Sequence, residues 1–168
     1  MSTHLSKKEK RITIVLFSLI VVLLVTIAGT AIIYLQATQP MRQAKKEATE
    51  LAQKYGNIET VDQFYRLSKN GTSYTVVGEN KQNQTIAVFI PKDGTNIKVR
   101  EMQSGIDQNE AKSVVLQAHA DQNVYKENLG MLNDQPVWEV ITKSKDGALN
   151  YYYVSFSDGK IIKEQQNI

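Results

Sequence analysis

The sequence predicts an α+β protein: one transmembrane helix followed by two repeats, each a helix packed on an antiparallel sheet of about four strands. Three observations carry this. An uncharged apolar run occupies Ile12 to Leu35. After it, the apolar pattern switches from helical period to short β-rich runs. That switch then happens a second time at a nearly constant offset.

The run ITIVLFSLIVVLLVTIAGTAIIYL exceeds the roughly 20 apolar residues that span a bilayer core. Thr13, Ser18, Thr26 and Thr30 can return their hydroxyls to carbonyls one turn back, which limits their cost in lipid. Tyr34 suits the headgroup level. Before the run stand Lys7, Lys8, Lys10 and Arg11 against Glu9 alone, a basic cluster expected to stay in the cytoplasm. Residues 1–11 then form a cytoplasmic tail, 12–35 the membrane helix, and everything from Gln36 onward lies outside. A cleaved signal peptide, the competing reading, has an apolar core of only about 7–15 residues. The only small-residue pair at cleavage spacing, Gly29 and Ala31, is followed by more apolar sequence.

The formal charge of +3 lies entirely in the tail. Through Arg11 the chain holds four of its 20 Lys/Arg and one of its 17 Asp/Glu; after Leu35 it holds 16 of each. The outer part therefore has no electrostatic case for nucleic acid. With no cysteine there is no disulfide, thiolate chemistry or Cys-based metal site, which fits a bacterial envelope better than an animal extracellular domain. The sequons at Asn70 and Asn83 read as turn residues in that setting.

Gln36 to Pro40 is expected as a connector, with Pro40 in the first turn of a new helix. Residues 41–103 form the first repeat. Ala44, Ala48, Leu51, Ala52 and Tyr55 make one helical stripe, Glu50 and Lys54 pair four apart on the other face, and Gly56 is the expected stop. The stripe packs on its own sheet, or the helix presses on a partner or on the lipid surface. Strands are expected at Val61–Leu67, Ser73–Val77, Gln84–Ile90 and Asn96–Met102, with Asn70-Gly71 and Asp93-Gly94 as hairpin signals.

Residues 104–168 form the second repeat. Asp107 with Glu110 starts a helix whose stripe is Ala111, Val114, Val115 and Ala118. Strands follow at Val124–Met131, Val137–Thr142, Leu149–Phe156 and Lys160–Glu164. Glu47-Ala48 matches Glu110-Ala111 at an offset of 63, Tyr74-Thr75-Val76 matches Trp138-Glu139-Val140 at 64, and Asp93-Gly94 matches Asp158-Gly159 at 65. Each half, near 60 residues, buries only a modest core alone, so the two are expected to pack together.

No catalytic, cofactor or metal constellation stands out. His4 lies in the tail and His119 late in the second helix, neither at ligand spacing. No phosphate loop, nucleophile elbow or zinc-protease motif occurs. An enzyme acting on wall polymer would need two carboxylates facing one groove. The aromatic run Tyr151-Tyr152-Tyr153 alternates faces, so Tyr152 and Phe156 point one way and Tyr151 and Tyr153 the other. One set covers the helix; the other faces water, the first repeat or a partner. Tyr151 and Tyr153 are therefore the candidate partner surface.

The basic tail, single membrane helix and two helix-plus-strands repeats resemble the TseB/YpmB-like family of Firmicutes. The local matches are Pro136-Val137-Trp138-Glu139-Val140 and Tyr151 through Ile161, with Tyr74 to Gly78 as a weaker counterpart. The resemblance implies PepSY-like (cystatin-like) repeats and a non-enzymatic, membrane-anchored regulator of cell-wall elongation that binds a class B penicillin-binding protein. It brings no catalytic residues and no cofactors. The implied partners are the cell membrane and that protein or another envelope protein, with wall polymer as a further contact. The alternative is a tethered inhibitor or chaperone-like module acting on an extracellular peptidase.

Overall fold

The computed structural model of the chain describes residues 7–166. His4 and most of the basic tail lie outside them. The chain divides into two units, Met1–Ala44 and Lys45–Ile168.

Helix α1 (Lys7–Gly56) supplies the first unit. Its apolar side chains from Ile12 to Leu35 are exposed, Phe17 and Ile33 each by 67%, and it is long and apolar enough to cross a membrane. The expected hydroxyl bonds are present: Ser18 donates to the Val15 carbonyl at 2.8 Å, Thr26 to Leu23 at 2.8 Å and Thr30 to Thr26 at 2.9 Å. The expected 36–40 connector is instead helical, and Pro40 lies inside the helix. A proline removes one backbone donor, while Gln36, Ala37 and Gln39 favour helix. The Thr38 hydroxyl bonds back to the Tyr34 carbonyl at 3.0 Å.

In the second unit α1 ends at Gly56, which remains helical. The left-handed residue that ends it is Asn57, at φ 51°, a role asparagine can fill. Gly56 serves close approach instead: a Cβ there would lie 2.5 Å from Val88 Cγ2.

Four strands follow, β1 (Ile58–Ser68), β2 (Thr72–Asn80), β3 (Thr85–Pro91) and β4 (Lys98–Glu101), antiparallel in chain order. Asn70 and Gly71 take φ of 51° and 110°, and Gly94 takes 70°, as the hairpin signals require. One face of this sheet buries Ile58, Val76, Ile86, Val88 and Ile90 against Ala48 and Ala52 of α1. Beside them Phe64 stacks on Tyr74 at 5.8 Å, with the Lys45 ammonium 6.0 Å from the Phe64 ring centre.

After a 3-10 turn (Met102–Ser104) comes α2 (Gln108–Ala118). Its capping box is complete: the Glu110 N–H donates to Asp107 Oδ1 at 2.8 Å, and the Asp107 N–H to Glu110 Oε2 at 2.7 Å. The second antiparallel sheet holds β5 (Asn123–Leu132), β6 (Gln135–Lys143), β7 (Leu149–Ser155) and β8 (Ile161–Gln165). Alternation sends Trp138, Val140, Tyr152 and Val154 into one cluster with Ala111 and Val115 of α2. Trp138 satisfies its indole N–H on the Ile106 carbonyl at 2.9 Å. As the spacing predicts, Tyr152 and Phe156 are on the helix side.

The two sheets join through β5. The first sheet's helix-free face presents Val77, Ala87 and Phe89 to the core that contains Leu129 and Met131 of β5. Leu67 on that same face joins Leu132, Val137 and Tyr153. The Met131 N–H donates to Ser73 Oγ at 3.0 Å, so an edge donor of β5 is answered by the other sheet. Gly130 permits the approach, since a Cβ there would stand 2.5 Å from Leu67 Cβ.

The other face of the second sheet carries a buried polar group. Glu139, 7% exposed, accepts from Asn128 Nδ2 at 2.7 Å and from the Tyr153 hydroxyl at 2.9 Å. Burial, reinforced by the Glu139 charge and its hydrogen bond, pushes the Tyr153 phenol well above its ordinary value.

Two stability predictions follow from these contacts. Gly130→Val should cost about 2–3 kcal/mol by overpacking the joint, read as a lower denaturation midpoint of the full chain in detergent; an unchanged midpoint would mean that β5 can draw back freely. Tyr153→Phe leaves Glu139 one donor short and should cost about 1–3 kcal/mol at pH 7. Because the folded chain holds the phenol neutral, wild-type stability should fall as pH rises past the usual tyrosine value of about 10. Unfolding curves across that range should fall less steeply for Tyr153→Phe.

Candidate functional site

Tyr151 and Tyr153 are not presented together. Tyr153 is 1% exposed, packed with Leu67 and Val137 and tied to Glu139. This corrects the expectation of a paired aromatic surface: strand alternation does put both rings on one face, but the first sheet and the buried carboxylate occupy that face at Tyr153. Tyr151, opposite Gln165 of the edge strand β8, is half-buried.

Another tyrosine is more open. Tyr125 is 68% exposed and sits at a break in β5 pairing between Val124 and Lys126. A bulge of this kind re-aims a side chain and bends its strand. The first sheet breaks register at the corresponding place, between Val61 and Gln63, with Asp62 exposed there. The sequence signal was a lapse in apolar/polar alternation at Val124-Tyr125-Lys126-Glu127, too short to separate from an ordinary strand start.

His119 follows the last turn of α2 as its cap, with Nε2 3.7 Å from Glu164 Oε2 and its ring centre 4.6 Å from that of Tyr152. Burial pushes the Tyr152 phenol above its ordinary pKa, and its hydroxyl donates to Gln122 Oε1 at 2.9 Å. Thr142 donates to the same oxygen. Among the described residues this is an imidazole against a ring and a carboxylate, with no thiol or second imidazole beside it. Among the described residues no group of three His, Cys, Asp or Glu side chains is placed to hold a metal ion.

The hairpin tips of the two sheets enclose an open cleft of about 430 Å³, lined by residues including Asn70, Ser73, Lys92, Asp93, Asn133 and Asp134. Asn70 Nδ2 donates to Asn133 Oδ1 at 3.1 Å across it. Lys98 is 2.8 Å from Asp134 Oδ2 and also donates to the Asp134 carbonyl. Hydrogen bonds from Thr95 hold Asp93 below the usual carboxylate range. Most of the lining residues are polar, the left-handed asparagines and glycines are turn residues, and the neighbouring Lys98–Asp134 ion pair ties one sheet to the other. The chemistry it offers is recognition by hydrogen bonding.

Comparison with known proteins agrees with this architecture. Residues 47–91 match the cell wall elongation regulator TseB-like domain, and residues 105–165 match the peptidase propeptide and YPEB (PepSY) domain. Over 158 residues the chain is 26% identical to a Bacillus subtilis (strain 168) protein described as a probable cell wall elongation regulator, TseB, covering 94% of this chain and 97% of that one. The solved structure of the YpmB protein from Bacillus subtilis superposes with a TM-score of 0.65 at 26% identity, over 72% of this chain and 95% of that one. The TseB-like match covers α1's last turns and the first three strands; the PepSY match covers α2 and the whole second sheet. Behind its apolar helix, then, the chain carries a cell wall elongation regulator TseB-like domain followed by a PepSY domain, the family likeness that its sequence motifs imply.

Proposed function

We propose that the chain is a non-enzymatic regulator of cell-wall elongation, anchored by α1 with its N-terminus in the cytoplasm, whose extracytoplasmic part binds a class B penicillin-binding protein. The observation that carries this is likeness along almost the full length, 94% of the chain, to a relative described as a probable cell wall elongation regulator. The charge-free apolar stretch of α1 from Ile12 to Leu35, directly after Lys8, Lys10 and Arg11, supports the topology.

The extracytoplasmic part is read as two PepSY-like repeats, each with one helix on a four-stranded sheet. Matching bulges at 61/63 and 124/126 support this, because they recur at the offset of 63 that relates Glu47-Ala48 to Glu110-Ala111. Tyr151 and Tyr125 are the aromatic side chains offered to a partner, a residue type favoured at interfaces. The anchor holds weak contacts at high effective concentration near the membrane. The peptidase-propeptide description of the matched PepSY domain favours a second reading, a tethered module acting on an extracellular peptidase.

Photo-crosslinking in living cells separates the two. Probes replacing Tyr125 and Tyr151 in the full chain should capture a penicillin-binding protein, and a probe at buried Tyr153 should not. Capture of a secreted peptidase would replace the first reading with the second, and capture of neither would reject both tyrosines as the contact surface. Releasing the outer part from its anchor should reduce its effect on elongation; full activity of a soluble form would overturn the tethering role.

A further inference from the structure

Strand β4 places two cations on the helix-free side of the first sheet, since Lys98 pairs with Phe89 and Arg100 with Ala87 in register. Their fates differ. Lys98 is neutralised by Asp134 across the joint. Arg100 has no carboxylate within ion-pair distance among the described residues; its Nη1 donates to the Val99 carbonyl at 2.8 Å. It borders a pocket of about 340 Å³ with Ser104, Pro136, Phe156 and Ser157.

The pocket sits where β4, the segment after it, the start of β6 and the turn after β7 converge. Pro136 gives it an apolar wall, backed by Phe156, which is only 2% exposed. Ser157 lines the pocket, with its Oγ 3.1 Å from Ser155 Oγ. Ser104 Oγ donates to the Glu101 carbonyl at 2.7 Å. The neighbouring acid, Asp158, is paired with Lys160 at 3.1 Å, so its charge is answered locally.

The geometry points to a carboxylate site: Arg100 and the Ser157 hydroxyl receive the carboxylate of a short peptide segment, whose aliphatic stem lies against Pro136. A planar guanidinium matches two carboxylate oxygens. One cation suits a monoanion, whereas a phosphate polymer calls for several. The volume lies at the small end of ligand pockets, which run from about 300 to 1,000 Å³, and suits one or two residues. The carboxylate can come from a chain end or from an acidic side chain. This goes beyond the proposed regulatory role and does not depend on which envelope protein is regulated.

Calorimetric titration of the full chain in detergent at low salt tests it with four probes. These are acetyl-dialanine with a free C-terminus, acetyl-glutamate amide, acetyl-dialanine amide and inorganic phosphate. At least one of the two carboxylate probes should bind saturably, and whichever binds more tightly identifies the source. The neutral amide should fail. Arg100→Gln should weaken binding at least tenfold and Arg100→Lys should retain part of it, with circular dichroism confirming that both variants fold. Equal binding of the neutral amide, indifference to Arg100→Gln, binding of phosphate alone, or no binding by any probe would each overturn the assignment.

Discussion

The second unit depends on β5 closing against the first sheet. Without that contact, β5 would expose a row of edge donors and acceptors, and the first sheet would leave Val77, Ala87 and Phe89 in water. The joint answers both problems. Leu129 and Met131 bury their side chains beside those three residues, the Met131 N–H is accepted by Ser73, and Gly130 leaves room for Leu67. Burial of a single large apolar side chain contributes about 1.5–3 kcal/mol. A few such residues at the joint therefore outweigh any one hydrogen bond there.

This arrangement follows from size. A half of about 60 residues buries too little surface to be more than marginally stable alone. In the first sheet, α1 covers one face and β5 the other; in the second, α2 covers one face. The polar groups at the joint add register to the hydrophobic contact. Lys98 pairs with Asp134, and Asn70 bonds Asn133 across the hairpin tips. At the far edge β8 is short, carries Lys163 and skips a pairing at Ile162, features that discourage strand addition.

Much of this was legible because turn chemistry is local. Asn70-Gly71, Asp93-Gly94 and Asp158-Gly159 announce backbone that most residues avoid, and each glycine has positive φ. All eight strands and the Asp107–Glu110 cap lie where such signals put them. Pro40 misled because the helix runs through it despite the backbone hydrogen bond that an interior proline removes. The length of β1 and the bulge at Tyr125 were hidden because register depends on the partner strand. Tyr153 failed as a surface residue for a similar reason. Alternation gives the face a side chain takes but says nothing of what covers that face, and here Leu67 comes from 86 residues away. For the same reason, the Arg100 pocket, assembled from β4, β6 and the turn after β7, has no contiguous sequence signature.

The two sheets act as one body because β5 is a covered edge. Hydrogen exchange at the Met131 amide of the full-length chain in detergent micelles tests that claim directly. The account predicts protection comparable to that of Val140 in the interior strand β6, lost only with global unfolding. Exchange at the rate of an open sheet edge would contradict it and would mean that the two sheets are independent bodies.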